Sequence, residues 1–360
     1  MPEIWEVTDL MEVTYSDQAA PPDGWWLDRF FTREYRSEAQ EIYFDQLPAR
    51  DRRLAPFVAP NVQGRMMRTL STPIAKFKPA YLKPKHEVNP AKVITRRPGE
   101  PLNGVGAGGR PLSLDERYDA AVADNLTTER EVIERRWDHM ACKAIMDGEV
   151  VIKGEDYPEV TVTFGRDPSL TSTLVGAAQW DETTSSPLVD IGIQRSLAFP
   201  LGRAPITDLI YGNAAWNAFE AHEDTRKLLD NMRRGSESNF NTTGLTDGSP
   251  VEYVGQISGP NGAGRLNLWK YSNYYEEYDE QGNLVAYDYI NEGDVIGVGK
   301  AIGGVRAFGA IMDKKAQLKA LPMFPKQWDS EDPGGTFTMT QSAPLMVPTN
   351  PNNSFRMRVV

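Results

Sequence analysis

The 360-residue chain carries three histidines and one cysteine. These side chains most often bind metals or act as nucleophiles near neutral pH. His86, His139 and His222 lie far apart, none in a spacing such as HExxH, so each reads as an ordinary polar residue. Cys142, beside Ala141 and Ala144, reads as a small buried hydrophobe. A single cysteine excludes an intrachain disulfide framework and suits a reducing compartment. No run of about 18 apolar residues exists, so no membrane span is predicted. The opening MPEIWEVTDL lacks the basic and apolar regions of a secretory signal. There is no internal repeat and no heptad array. No convergent His, Cys and carboxylate set emerges, which weighs against a hydrolase or other enzyme, and no cofactor, catalytic residue or metal ligand is expected.

Hydrophobic residues make up 40% and charged residues 25%, the balance of a folded domain, and the net charge is −11. That charge is unevenly spread. Between Arg65 and Arg110 stand Arg65, Arg68, Lys76, Lys78, Lys83, Lys85, Lys92, Arg96, Arg97 and Arg110, against only Glu87 and Glu100. The local charge of +8 leaves −19 on the rest. This basic stretch could bind nucleic acid, with Phe77 and Tyr81 interleaved; it could bind an acidic surface of another subunit; or it could be a solvated loop. Its length weighs against the last, since connections within a domain usually run about 4–6 residues. The acidic remainder favours a second copy of the chain.

Along the chain, Met11–Tyr15 is predicted as a short strand. Trp25, Trp26, Phe30 and Phe31 mark an aromatic anchor that needs a surface to bury against. Residues 56–112 are rich in proline and glycine; Ile74–Phe77 and Val93–Thr95 suit a long twisted hairpin, with Pro84 and Pro90 stiffening it. Ser113-Leu114-Asp115-Glu116 is a capping box opening a helix through about Asn125, and Thr128-Glu129-Arg130-Glu131 is a second one. Val132, Ile133, Trp137, Met140 and Ile145 then keep helical spacing up to Gly148. A hairpin is predicted over Glu149–Lys153 and Val160–Phe164, and helices near Asp190–Ala198 and after Asn213, the latter running on to Leu228, Leu229 and Met232. Strand-like runs fill 250–311. At Thr336–Thr340 the threonines take one face and Phe337 and Met339 the other.

Two further patterns carry little. Gly104–Gly109 spells GxGxxG, but no strand precedes it and no βαβ unit surrounds it, so a tether is the better reading. Glu276, Glu277, Asp279 and Glu280 lack the spacing of a calcium loop and read as a solvated acidic face, a counter-charge for the basic stretch.

YLKPKHEVNP, at Tyr81–Pro90, closely resembles the corresponding segment of the lambda-type phage major capsid proteins, the capsid protein E family. FTMTQSAPLM at Phe337–Met346 is similar to the same family, as are Arg29–Pro48, Gly212–Ser236 and Arg306–Trp328, all in the same order. The first 25 residues and 237–290 diverge. The resemblance implies an α+β, Hong Kong 97-type capsid fold: an N-terminal arm over 1–54, an extended E-loop over 55–112, and a peripheral domain over 113–200 with a long spine helix and a β-hairpin. An axial domain would span 201–325, and C-terminal strands over 326–360 would return to the peripheral domain.

The implied function is that of the major capsid protein of a tailed double-stranded DNA phage, a virion component assembled in the host bacterial cytoplasm. Pentamers and hexamers would close into an icosahedral head around the genome, without sequence-specific DNA contacts and without a membrane, and would later expand. Arg65, Arg68, Lys76, Lys78, Tyr81, Lys83, Pro84, Lys85, Glu87, Lys92, Arg96 and Arg97 become the expected inter-subunit contacts of the E-loop. Some relatives carry an N-terminal scaffolding domain; this chain has no room for one ahead of its E-loop, so a separate scaffolding protein is expected. A trimeric decoration protein, non-covalent closure and a portal at one vertex are also expected. An encapsulin-like compartment shares the fold, but the motifs above favour the phage family.

Overall fold

The computed structural model describes residues 4–15, 24–39, 41–45, 74–77, 79–88, 113–154, 157–226, 250–258, 265–279, 281–331 and 334–360. Its longest element is a single helix, Leu114–Met146, of 33 residues, about 50 Å at 1.5 Å per residue. Ser113 caps it: its Oγ accepts from the Glu116 N–H at 3.2 Å, and the Glu116 carboxylate accepts from the Ser113 N–H at 2.7 Å. The second capping box does not act as one. No Gly or Pro interrupts 113–130, so the helical ladder runs through. The Thr127 and Thr128 hydroxyls donate back to the Ala123 and Asp124 carbonyls, both at 2.9 Å. Ile133, Trp137, Met140 and Ile145 are buried. Val132 is not a core residue: it is 46% exposed, since one position from Ile133 turns a side chain about 100° around the helix. Gly148, at φ +70°, ends the helix, where a Cβ would sit 2.6 Å from Arg166 Cβ.

The strands, in chain order, are β1 (Arg33–Arg36), β2 (Ile42–Asp45), β3 (Ile74–Phe77), β4 (Lys85–Val88), β5 (Glu149–Gly154), β6 (Tyr157–Thr163), β7 (Thr171–Thr173), β8 (Asp208–Tyr211) and β9 (Val251–Ser258). They continue as β10 (Arg265–Tyr271), β11 (Tyr274–Tyr278), β12 (Leu284–Asp288), β13 (Asp294–Val298), β14 (Gly304–Phe308), β15 (Phe324–Glu331), β16 (Gly334–Gln341), β17 (Pro344–Pro348) and β18 (Ser354–Arg358). The largest sheet has the order β7-β18-β13-β8-β10-β9; three-stranded sheets are β1-β14-β17 and β15-β16-β4; β2–β3, β5–β6 and β11–β12 pair alone. Shorter helices are Val7–Thr14, Trp25–Phe30, Pro187–Gly202 and Asn213–Ala221.

Two apolar cores flank the six-stranded sheet. In β13, Val295 faces the core built on Trp180, Tyr211, Phe219 and Phe355, whereas Ile296 and Val298 face the core of the long helix. With both faces covered, β8 and β13 are buried throughout. Gly297 is required there, since a Cβ would lie 2.2 Å from the Phe355 ring.

Several expectations change. Residues 7–14 form a helix, not a strand, with Leu10 and Thr14 buried one turn apart. Ile74–Phe77 pairs antiparallel with Ile42–Asp45 of the arm, and Val93–Thr95 lies outside the described residues. The last strand, β18, meets the long helix only near its C-terminal end, where Ser354 Oγ donates to the Ile145 carbonyl at 3.0 Å. It joins the six-stranded sheet between β7 and β13, where Phe355 and Met357 complete the second core. Leu228, Leu229, Met232 and the glycines 104–109 lie outside the described residues.

The helix start yields a direct contrast. Ser113→Ala should lower subunit stability by about 1 kcal/mol, while Thr128→Ala, exposed and mid-helix, should change it by less than about 0.5 kcal/mol. Urea unfolding of the soluble subunit measures both; equal losses would restore Thr128 as a cap.

Candidate assembly interface

The Tyr81–Val88 stretch is built into its own subunit. β4 is the third strand of the β15–β16 sheet, with His86 opposite Thr338 and Lys85 opposite Met339. Ahead of it, Leu82 and Ser342 form a bridge, and the Thr340 N–H donates to the Pro84 carbonyl. The Tyr81 hydroxyl donates to the Ala310 carbonyl at 2.6 Å. The Lys83 ammonium lies 5.2 Å from the Tyr81 ring centre. That of Lys85 lies 3.8 Å from Phe337 and 5.2 Å from Trp328, two rings stacked at 5.8 Å. Glu87 is exposed. Of the expected loop contacts, Tyr81, Lys83, Pro84, Lys85 and Glu87 sit on a strand and its lead-in that pair with their own subunit, and Lys83, Lys85 and Glu87 are exposed there. Lys76 lies in β3; Arg65, Arg68, Lys78, Lys92, Arg96 and Arg97 lie outside the described residues.

The joint beneath this strand is polar. On β16 the threonine face turns inward: Thr336, Thr338 and Thr340 are buried, while Phe337 and Met339 are only half-buried. Glu129, fully buried on the long helix, accepts from Thr338 Oγ1 at 2.8 Å and Thr340 Oγ1 at 2.7 Å, and lies 3.2 Å from His86 Nδ1. Burial pushes the Glu129 carboxyl above the ordinary carboxylate range, against the pull of the two hydroxyls and His86. Alongside, the Tyr118 hydroxyl donates to Thr336 Oγ1 at 2.8 Å and accepts from Gln327 Nε2 at 3.0 Å. Sequence reasoning missed Glu129, which it had placed in a capping box; the Thr-x-Thr-x-Thr alternation was the available signal.

The aromatic anchor is equally internal. Trp26, Phe30 and Phe31 are buried in the core of the long helix, and Trp25 packs against it. Asp138 of that helix accepts the Trp26 and Leu27 N–H groups at 3.0 and 3.1 Å. Arg29 pairs with buried Asp208 and lies 4.2 Å from the Trp269 ring centre. Burial alone would raise the Asp208 carboxyl, but hydrogen bonds from Thr207, Arg29 and Asn267 outweigh it and hold it low.

The acidic hairpin β11–β12 projects beside the helix. Tyr275 packs on His139 at 4.6 Å, and Glu277 accepts from Arg136 at 2.8 Å. Burial, with Arg136 and Lys143 adding to it, depresses His139 to about 3. Outward, Tyr274, Glu276, Tyr278 and Tyr287 are exposed; Glu280 lies outside the described residues. Burial pushes the Cys142 thiol up. Among the described residues, no three His, Cys, Asp or Glu side chains converge on a metal-binding position, and no helix is long and apolar enough to cross a membrane.

Residues 6–359 match the family model described as phage major capsid protein E. The chain belongs to that family. Members are structural proteins of the phage head rather than enzymes, and this chain is a capsid subunit of a virion. It is 30% identical over 338 residues to the major capsid protein of Enterobacteria phage phi80 and 29% identical over 339 residues to that of Escherichia phage lambda, covering 92% of each chain in both cases. A candidate capsid protein of an Escherichia coli CFT073 prophage, solved by crystallography, superposes with a TM-score of 0.72 at 22% identity, covering 99% of both chains. A phage-related protein from Bordetella bronchiseptica RB50 gives 0.51 at 9% identity, over 98% of this chain and 96% of the other. The fold is the α+β capsid fold of the Hong Kong 97 type.

Glu129 predicts a pH dependence. Its raised folded pKa means that the native state holds the proton more tightly than the unfolded chain does. Its contribution is therefore fully present below the unfolded value, about 4.3, and is lost as pH rises through the folded one. Glu129→Gln should remove this loss, so the stability of the variant relative to the natural subunit should rise with pH and then level off. Unfolding midpoints from pH 4 to 8 test it; a difference that stays flat would refute the assignment.

Proposed function

We propose that the chain forms pentamers and hexamers of an icosahedral head around double-stranded DNA, and that the basic stretch 65–110 clasps the acidic surface of the next subunit. The observation that carries this reading is the combination of charge and attachment. A segment of +8 belongs to a chain otherwise at −19, and it is fixed to its own subunit at Tyr81–Val88 and at Ser113, where the long helix begins. With those points held, the remaining basic residues have a defined place from which to meet a neighbour. Electrostatic complementarity then sets register and association rate more than raw affinity. The β11–β12 hairpin, with exposed Glu276 and half-buried Glu277 and Asp279, is a suitable counter-surface. An acidic wall also suits a compartment in which DNA must not stick.

In this reading 1–54 act as the arm, 55–112 as the E-loop, 113–200 and 326–360 chiefly as the peripheral domain and 201–325 as the axial domain, with β18 crossing into the axial sheet. A separate scaffolding protein guides assembly, a portal occupies one vertex, and a trimeric decoration protein reinforces closure without covalent links. Mature particles should then run as a monomer band on a denaturing gel.

Lys85 lies on its own subunit's rings and is a poor probe of a neighbour. Arg96→Glu with Arg97→Glu is the better test. The variant subunit should stay soluble and melt cooperatively, while particle yield, counted by electron microscopy, falls at least tenfold. A normal yield would overturn the clasping role.

A further inference from the structure

The helix Pro187–Gly202 carries an apolar stripe on its outward side as well as apolar residues on its inward one. Pro187, Ile191, Ala198 and Gly202 turn inward and are buried, together with Gln194, which donates to Ser172 Oγ at 2.9 Å, and Arg195. On the other side Val189, Ile193, Leu197 and Leu201, each one turn from the last, are 57, 52, 42 and 37% exposed. No exposed residue of this helix is charged, although a quarter of the chain is. Ser196, on the same side, turns its hydroxyl back onto the Gly192 carbonyl at 2.8 Å, so even the polar group there is satisfied internally. A helix side that merely faced solvent would carry charge; an unbroken apolar stripe along several turns reads as a surface to be covered.

We infer that this stripe is a subunit–subunit contact of the head, covered by a different surface of a second copy of this chain. Three considerations select that occupant. The stripe exposes roughly 300 Å² of apolar surface, a size that on a monomer is often functional. It is enough for the centre of an interface of about 800 Å² per partner once a polar rim is added. The stripe itself exposes no Lys or Arg, Arg195 being buried, which disqualifies a nucleic-acid phosphate backbone. Finally, a stripe repeated on every subunit needs a partner present at every subunit, and in a head the chain certain to meet that stoichiometry is the subunit itself. Closed rings of one chain are made by head-to-tail contacts, in which two different patches meet, so the stripe faces something other than its own twin.

The inference rests on head assembly but not on the clasping role of the basic stretch, and the two fail separately. Leu197 is replaced by the photo-reactive p-benzoylphenylalanine, and particles are assembled from equal parts of light and nitrogen-15-labelled subunits and irradiated. The expected result is a ladder of covalent dimers and higher species, with peptides around residue 197 joined to a non-equivalent peptide bearing the other isotope label. Links within one chain, links to a different protein, or no links in intact particles would overturn the proposal. As a second measurement, Ile193→Glu with Leu197→Glu should cut particle yield at least tenfold while the subunit keeps its circular dichroism and cooperative melt. Undiminished yield would also overturn it. Particles lost in the Arg96 and Arg97 variant, but formed normally here, would leave the basic stretch standing and remove the stripe.

Discussion

Carboxylates spaced along one helix and at its C-cap tie distant segments of the subunit to it. Asp119 accepts from the Trp5 indole, Glu129 from two threonines of β16, Asp138 from the first N–H groups of the Trp25–Phe30 helix, and Asp147 from Arg356 of β18. Each partner lies more than a hundred residues away in sequence or comes from another sheet. Such bonds are individually modest, but leaving buried Glu129 or Asp138 unpartnered costs the full desolvation penalty. The helix therefore acts as a rail with fixed attachment points, and alternative dockings of the arm or the C-terminal strands would each strand a buried polar group.

This arrangement divides the molecule by role. Aromatic and aliphatic packing supplies the bulk of the stabilisation, with Trp26, Phe31 and Phe308 on one side of the six-stranded sheet and Trp180, Tyr211 and Phe355 on the other. The polar contacts decide which segments meet. For a subunit that must present the same surfaces in every copy of a shell, such registry matters more than an extra increment of stability.

Much of this was legible in the sequence, and the failures have physical causes. Helical periodicity located Ile133, Trp137, Met140 and Ile145 because a long amphipathic helix repeats its signal many times. Val132 was misplaced because adjacent apolar residues on a helix point about 100° apart and only a neighbour can say which is inside. The Thr128 box looked like a helix start because the same residues favour caps and tolerate mid-helix back-bonding. Long-range pairings, such as β1 with β14 or β4 with β16, leave no local trace. The inward threonine face defied the hydrophobic pattern, since a buried carboxylate on another element satisfies it. The charge asymmetry was legible; the sequence could not show that Lys83 and Lys85 pack on aromatic rings of their own subunit.

The fixed base sets a radius. Between Val88, held on β16, and Ser113, at the head of the long helix, there are 24 residues. A chain held at both ends must go out and come back, so at about 3.4 Å per residue its farthest point is on the order of 40 Å from those anchors. A segment secured in this way can be laid over a neighbour but cannot pass a free end through it. Under the proposed clasp, subunits would lift apart without unthreading, and a growing shell could discard a misplaced subunit and try again.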